Sequence, residues 1–389
     1  MDFRFVEPAS CALIKVIGVG GGGCNAVQHM IEVSKDMIGV EFISANTDIQ
    51  SLSKNAATIK LQLGPRLTKG LGAGSLPDIG RDAALESRQD ITELLKNCDM
   101  VFIAAGMGGG TGTGAAPIIA EIAKGLGILT VAVVTKPFSF EGKRNKVAQM
   151  GLQELAQHVN SLIVVPNDRL IPVLGKEVTV LEAFAAINRV LSNAVLGIAE
   201  IINKTGLINP DFNDVRTVMS ETGMAIMGSA EASGEGCAAK AASAAVSSPL
   251  LGDVKLSNVR GILVNITTPL GFSLGELDEV MSTINECARD DATVIYGHVF
   301  DDMMEQNSLR VTVVATGLAT EYVSPVHSHH SQGIRTRADD VNANSALKDD
   351  PEMGSNRRTQ VEAMEKAGDS PFDIPTFLRR EKDSKVDNQ

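Results

Sequence analysis

The sequence predicts an α/β fold: a mainly parallel sheet covered by helices, then a smaller α/β domain reached through a long helix, then a disordered tail. Three observations carry this. Short β-branched runs alternate with helical patterns through the first two hundred residues. Two glycine-rich stretches each follow a strand and open a helix. After about Thr320 the hydrophobic periodicity stops. Repeated strand–loop–helix units place parallel strands between layers of helices.

Taken in order, Leu13 to Ile17 reads as a strand, Gly18 to Gly23 as a loop and Asn25 to Ser34 as a helix. Val40 to Ala45 is a second strand, and Arg81 to Asn97 has helical spacing. Met100 to Ala105 is a strand, Gly106 to Gly114 a loop, and Ala115 to Gly125 a helix. Ile128 to Val134 and Leu162 to Val165 are further buried strands. From Thr179 to Lys204, Leu181, Phe184, Ile187, Leu191, Val195, Ile198 and Ile202 recur at helical steps, a stripe wide enough to be buried between layers. Gly206 and Pro210 end that helix. Beyond it, Arg260 to Thr267, Ala292 to Val299 and Leu309 to Ala315 read as strands, with helices near Gly236 to Val246 and Ser273 to Arg289. Met219, Met224 and Met227 read as core fillers.

These elements divide the chain into a nucleotide-binding domain over 1–178, a central helix over 179–205 and a smaller domain over 206–319. Residues 320–370 are rich in Ser, Asn, Asp, Arg and Gln and read as a disordered linker. In 371–389 the apolar and basic run from Asp373 to Arg380 reads as a docking peptide.

Among the 389 residues, 35 Lys and Arg stand against 47 Asp and Glu, a formal charge of −12. An acidic chain argues against nonspecific binding to nucleic acid or to anionic membranes. With no Trp and two Tyr, stacking platforms for single strands are also missing. The five cysteines (Cys11, Cys24, Cys98, Cys237 and Cys287) form no C-x-x-C, so neither a zinc cluster nor a disulfide framework is expected. No basic leader precedes an apolar region, and no apolar run approaches the ~18 residues that cross a bilayer. A reducing cytoplasm without direct membrane insertion is the expected home.

Gly18 to Gly23 matches G-x-G-x-x-G between a strand and a helix. Glycines let backbone N–H groups approach a phosphate, and the helix N-terminus adds partial positive charge. Alone, this reads as a dinucleotide site of an oxidoreductase. Gly106 to Gly114 is a second such loop, which a dinucleotide enzyme does not need. Neither Gly142-Lys143 nor Gly175-Lys176 is followed by Ser or Thr, so the Walker A motif is absent.

Gly108-Gly109-Gly110-Thr111-Gly112-Thr113-Gly114 is similar to the tubulin signature and, in this form, resembles the FtsZ family of bacterial tubulin-like cell-division GTPases. Asn46-Thr47-Asp48, Gly70 to Gly74, Phe140 to Arg144, Pro166-Asn167-Asp168 and Asn209 to Val215 extend the resemblance over about Ile14 to Gly317, together with the terminal peptide. It implies a tubulin/FtsZ-like fold that binds GTP and GDP with Mg²⁺, polymerises head to tail and forms the ring at the mid-cell division site. No protein metal-ligand set is implied. The terminal peptide, Asp373 to Arg380, resembles the family's docking motif for tethers and regulators such as FtsA or ZipA.

The resemblance also assigns roles. Gly21, Gly22 and Asn25, with Gly23 and Cys24 beside them, correspond to first phosphate and ribose contacts. Gly72 and Ala73 belong to a loop that senses the γ-phosphate. Gly110, Thr111 and Gly112, with Gly108 and Gly109, form the main phosphate loop. Glu141 and Arg144 are ribose and phosphate contacts, with Lys143 the second choice for phosphate. Asn167 and Phe184 belong to the base pocket. Where the family usually has a guanine-reading Asp, this chain is read as having Arg189, which cannot accept a hydrogen bond; the adjacent Asn188 can. On that ground a polymerising scaffold with impaired hydrolysis or altered base specificity is the alternative reading.

Asp211 and Asp214 share one face at a helix start, and by themselves they read most simply as a cap and a dipole partner. The resemblance instead places Asn209, Asp211 and Asp214 in a loop that enters the next subunit's site and orients the attacking water. A thiol at a helix N-terminus can be activated, but Cys24 reads more simply as a small residue in a tight turn. His327, His329 and His330 read as solvated linker residues.

Overall fold

In the computed structural model the described residues are 12–318, apart from 35, 36, 38, 176, 205, 222, 252–258 and 290. The predicted linker, the docking peptide, the histidine run and Cys11 therefore lie outside the described residues.

Ten strands form one sheet: β1 (Ile14–Val19), β2 (Val40–Asn46), β3 (Ile59–Gln62), β4 (Met100–Gly106), β5 (Leu129–Lys136), β6 (Ser161–Pro166), β7 (Met224–Ser233), β8 (Gly261–Thr268), β9 (Thr293–Phe300) and β10 (Ser308–Leu318). Their order is β3-β2-β1-β4-β5-β6-β7-β10-β8-β9. The strands from β3 to β7 pair in parallel, and β10 runs antiparallel between β7 and β8. β1 is buried along its whole length, as is β4 up to Ala105, because helices cover both faces. This is why their sequences are continuous apolar runs rather than alternating ones. Only Leu162 with Met224 and Ile163 with Ala225 join β6 to β7, so the two halves of the sheet meet at a narrow seam.

The helices are α1 (Gly20–Val33), α2 (Ile49–Lys54), α3 (Pro65–Thr68), α4 (Pro77–Glu86), α5 (Arg88–Leu95), α6 (Thr111–Gly125), α7 (Lys143–Ala156), α8 (Ile171–Leu174), α9 (Val180–Asn203), α10 (Phe212–Met219), α11 (Cys237–Val246) and α12 (Leu274–Cys287). The predicted helix over Arg81 to Asn97 is two helices. Ser87 leaves helical geometry between α4 and α5, and its hydroxyl accepts the Gly64 N–H at 3.0 Å. The expected glycine loops are shorter than their glycine content suggests, because helix begins at Gly20 and at Thr111. Gly20, at φ +69°, turns the chain directly from β1 into α1.

α9 begins with a capping box: the Thr179 hydroxyl accepts the Glu182 N–H, and the Glu182 carboxylate accepts the Thr179 N–H. By length and composition α9 is apolar enough to cross a membrane, which the sequence reading did not expect. Instead it is a core helix, with Ile187, Leu191, Val195, Ile198 and Ile201 buried against the sheet. At about 1.5–3 kcal/mol per buried side chain, that stripe dominates its stability. Met219 and Met227 are buried as expected of fillers, and Met224 packs at the margin of the second core.

Candidate functional site

The strand order reverses between β1 and β4, which leaves a crevice beyond their C-terminal ends. A cavity of about 370 Å³ opens there. Val19 ends β1, Gly106 ends β4 and Thr135 comes from the last turns of β5; all three line the cavity, with Asn167 just beyond β6.

The two glycine loops press against each other. A Cβ at Gly20 would stand 2.8 Å from the Gly112 nitrogen, and one at Gly22 would stand 3.3 Å from the Gly106 Cα. The contact at Gly20 leaves no room for a Cβ, and the one at Gly22 is tighter than ordinary side-chain contact. Gly21 and Gly109 differ, for a Cβ there would meet no protein atom within 4 Å. Both line the cavity, so bare backbone faces an open space at the starts of α1 and α6. Such a cradle suits an anionic, phosphate-like group.

Gly22, Asn25, Gly110, Thr111, Gly112, Glu141, Arg144, Phe184 and Asn188 share this lining with Gly21, Gly109 and Asn167. Most of the residues singled out in the sequence thus converge on one cavity from five separate stretches of chain. Arg144 is in the lining, paired with Glu141 at 2.8 Å, whereas Lys143 is exposed outside it. Glu141 also accepts the Phe138 N–H. The Phe138 ring lies edge-on to Phe184 and stacks on Phe140, an aromatic cluster of which Phe184 reaches the lining. Asn167 is 5% exposed, and its Oδ1 has no hydrogen-bond partner among the described residues. A buried oxygen without a donor is costly, and the N–H edge of a base supplies one.

Arg189 does not reach this lining. α9 turns Phe184, Ile187, Asn188 and Leu191 toward the cavity, and Arg189, about 100° further round the helix, is exposed. Of the two neighbours singled out for the base pocket, Asn188 is in the lining and Arg189 is not.

Gly23, Cys24, Gly72, Ala73 and Gly108 also lie outside the lining. A Cβ at Gly23 would fall 2.1 Å from the Ala104 oxygen, so this glycine serves strand packing. Gly108, at φ +95°, is held by its N–H donating to the Thr113 hydroxyl. Cys24 is 1% exposed and donates weakly toward the Gly18 and Ala45 carbonyls. Burial pushes its thiol up from the ordinary 9.0 to about 11, opposite to an activated cysteine. Ala73 packs beside Gly110, while the Gly72 N–H donates to the Thr47 carbonyl at 3.2 Å. The Thr47 hydroxyl lies 2.6 Å from that of Thr111.

Asn209, Asp211 and Asp214 are elsewhere, beyond the far end of α9. Asn209 accepts the Gly206 N–H, and the Leu207–Ile208 backbone pairs with His298 of β9. Asp211 caps α10 by accepting the Asp214 N–H at 2.8 Å, as the residues alone suggested. The exposed Asp214 side chain has no hydrogen-bond or ion-pair partner among the described residues. From Asn188 to Asn203 is fifteen residues of helix, roughly 22 Å at the α-helical rise. The acids and the cavity therefore occupy opposite ends of α9.

Sequence reasoning missed Val19, Gly106, Met107, Thr135, Pro137, Ile187 and Leu191 of the lining. A signal for Thr135 and Pro137 existed, since both follow a predicted parallel strand, where open α/β sheets place ligands.

The Tubulin/FtsZ family GTPase-domain model matches residues 13–175, and the FtsZ family C-terminal-domain model matches residues 223–319. The chain is 50% identical over 380 residues to the cell division protein FtsZ of Coxiella burnetii, covering 95% of this chain and 96% of that one. With the cell division protein FtsZ of Azotobacter vinelandii it shares 51% identity over 386 residues, covering 96% and 97%. Among solved structures, an empty FtsZ dimer from M. jannaschii superposes with a TM-score of 0.75 at 42% identity, covering 79% of this chain and 89% of that one. A GTPγS-bound CetZ2 protofilament from Haloferax volcanii gives 0.66 at 19% identity, covering 80% and 95%, a likeness of fold alone.

Proposed function

The chain belongs to the Tubulin/FtsZ family and is a polymerising GTPase of cell division, and on that premise we propose that its hydrolytic site is complete only between two head-to-tail copies. The observation that carries this is the roughly 22 Å of α9 between the cavity and the acids. One copy supplies the nucleotide pocket, and the next supplies Asn209, Asp211 and Asp214.

In this reading Gly21, Gly22, Gly109, Gly110, Thr111 and Gly112 bind the phosphates, with Arg144 adding charge. Asn25 and Glu141 face the ribose; Asn167, Phe184 and Asn188 hold the guanine. Gly72 and Ala73 act indirectly, through their contacts with Thr47 and Gly110. Mg²⁺, bound to the phosphates, would neutralise their charge. The Asp214 carboxylate of the next copy accepts a hydrogen bond from the attacking water and aims its oxygen at the γ-phosphorus. Catalysis is then positioning plus charge stabilisation.

Exposed apolar side chains support a contact at each end. Leu71, Phe140 and Leu181 lie beside the cavity elements, while Leu207, Leu270 and Met303 on loops and Leu274 at the start of α12 lie at the acid end. Two different patches that meet head to tail generate an open filament. The scaffold alternative rests on Arg189, whose exposed position outside the lining does not support it. The second phosphate-ready loop likewise leaves the oxidoreductase reading without a reason. A cytoplasmic ring at mid-cell, tethered through Asp373 to Arg380 by partners such as FtsA or ZipA, follows from the family and the terminal motif.

The test mixes two inactive variants, Asp214→Ala and a nucleotide-site variant such as Gly21→Phe, whose ring fills the open space at Gly21 and blocks the cavity. In an equal mixture about one interface in four joins an intact cavity to an intact acid loop, so GTP hydrolysis returns. A mixture as inactive as its parts contradicts the shared site.

A further inference from the structure

Thr47 lies outside the cavity, yet it governs a group inside it. Its side chain is completely buried, and among the described residues its hydroxyl has one partner, the Thr111 hydroxyl at 2.6 Å. Thr111 lines the cavity. A hydroxyl carries one hydrogen, and a buried hydrogen without an acceptor is unfavourable. If Thr111 donated to Thr47, the Thr47 hydrogen would have nowhere to go. If Thr47 donates to Thr111, both are satisfied: the Thr111 hydrogen is left to point into the cavity.

We propose that Thr47 is a positioning residue that donates to the Thr111 hydroxyl and thereby directs the Thr111 proton toward a phosphate oxygen of the bound nucleotide. The proposal rests on the reading of the cavity as the nucleotide site. Thr47 is itself fixed through its carbonyl, which accepts the Gly72 N–H at 3.2 Å and the Thr68 hydroxyl at 3.3 Å. The Asp48 carboxylate next to it caps α2 by accepting the N–H groups of Gln50 and Ser51. Backbone contacts on both sides thus fix this corner, and the single hydroxyl–hydroxyl bond carries its orientation to the ligand. It also joins the Gly70 to Gly74 loop to the start of α6 through one residue.

The test is a double-mutant cycle read by the affinity of the full chain for GTP. Thr47→Val keeps the shape and removes the donor; Thr47→Ser keeps the donor. Thr47→Val should weaken GTP binding about fivefold, the size of one net hydrogen bond, and Thr47→Ser should restore it. In a Thr111→Val background, Thr47→Val should have no further effect, because the group it orients is gone. If Thr47→Val weakens binding equally in both backgrounds, or not at all, Thr47 does not act through Thr111 and the proposal falls while the site stands. If Thr111→Val itself leaves GTP affinity unchanged, the cavity reading fails, and this proposal with it. Should Thr47→Val not fold, Thr47→Ala makes the same comparison.

Discussion

The Asp211 carboxylate accepts the Asp214 backbone N–H at 2.8 Å, so one of the two acids is engaged in capping the start of α10 while the other side chain faces solvent. The two can therefore be separated by experiment. Asp214→Ala should abolish hydrolysis and leave GTP binding and thermal stability nearly intact. Asp211→Ala should also cost ~1 kcal/mol of stability, and Asp211→Asn should recover most of that, since asparagine caps as well. Equilibrium unfolding beside single-site GTP binding checks both. Lost binding in Asp214→Ala would make it part of the pocket of its own chain.

Asn188 and Arg189 should behave oppositely. Asn188 lines the cavity and Arg189 is exposed outside it. Asn188→Ala should weaken GTP binding about fivefold to tenfold, the loss of a hydrogen bond to the base. Arg189→Ala and Arg189→Asp should leave both GTP affinity and the preference over ATP unchanged. Competition binding with the two nucleotides reads this directly.

Gly21 and Gly23 form a second contrasting pair. A Cβ at Gly21 meets nothing in the protein, whereas one at Gly23 would sit 2.1 Å from the Ala104 oxygen. Gly21→Ala should fold at least as stably as the parent and bind GTP about tenfold more weakly, because the methyl group enters the phosphate space. Gly23→Ala should lose ~1–3 kcal/mol of stability by overpacking. Melting curves with and without GTP distinguish the two effects.

The raised Cys24 thiol makes stability depend on pH. Its value rises from 9.0 to about 11 by burial. Between those values the folded chain holds a proton that the unfolded chain has released, so stability falls as pH rises through that window. The effect from Cys24 amounts to about 2–3 kcal/mol at most, fully developed above pH 11. Denaturant midpoints measured from pH 8 to 11 should fall less steeply for Cys24→Ala than for the parent. At pH 8, a thiol reagent should label the exposed Cys287 before Cys24.

Much of this arrangement is legible from sequence because glycine and apolar periodicity have few other causes. The β1 and β4 runs, the two glycine stretches and the α9 stripe each mark one element, and together they place the cavity. Boundaries were less legible. Glycine suggests loop, yet α1 already starts at Gly20, and the missing Cβ serves packing of Gly20, Gly22 and Gly23 against Gly112, Gly106 and Ala104. β7 escaped notice because Met224, Ala225, Met227 and Gly228 are weak strand formers, held in place by β10. Asn188 and Arg189 could not be told apart from sequence, yet one position on a helix is about 100°, enough to leave the lining. Thr47 carries no sequence signal for its contact, because the approach of β2 to the start of α6 is a tertiary fact.

The most direct test of the shared site is phosphate release from GTP, with Mg²⁺, measured as turnover per molecule across protein concentration. The account predicts little turnover below a threshold concentration and a steep rise above it, as cavities find the acid loops of neighbouring copies. Turnover per molecule that stays constant as the protein is diluted would show that one copy holds the whole site, and would contradict it.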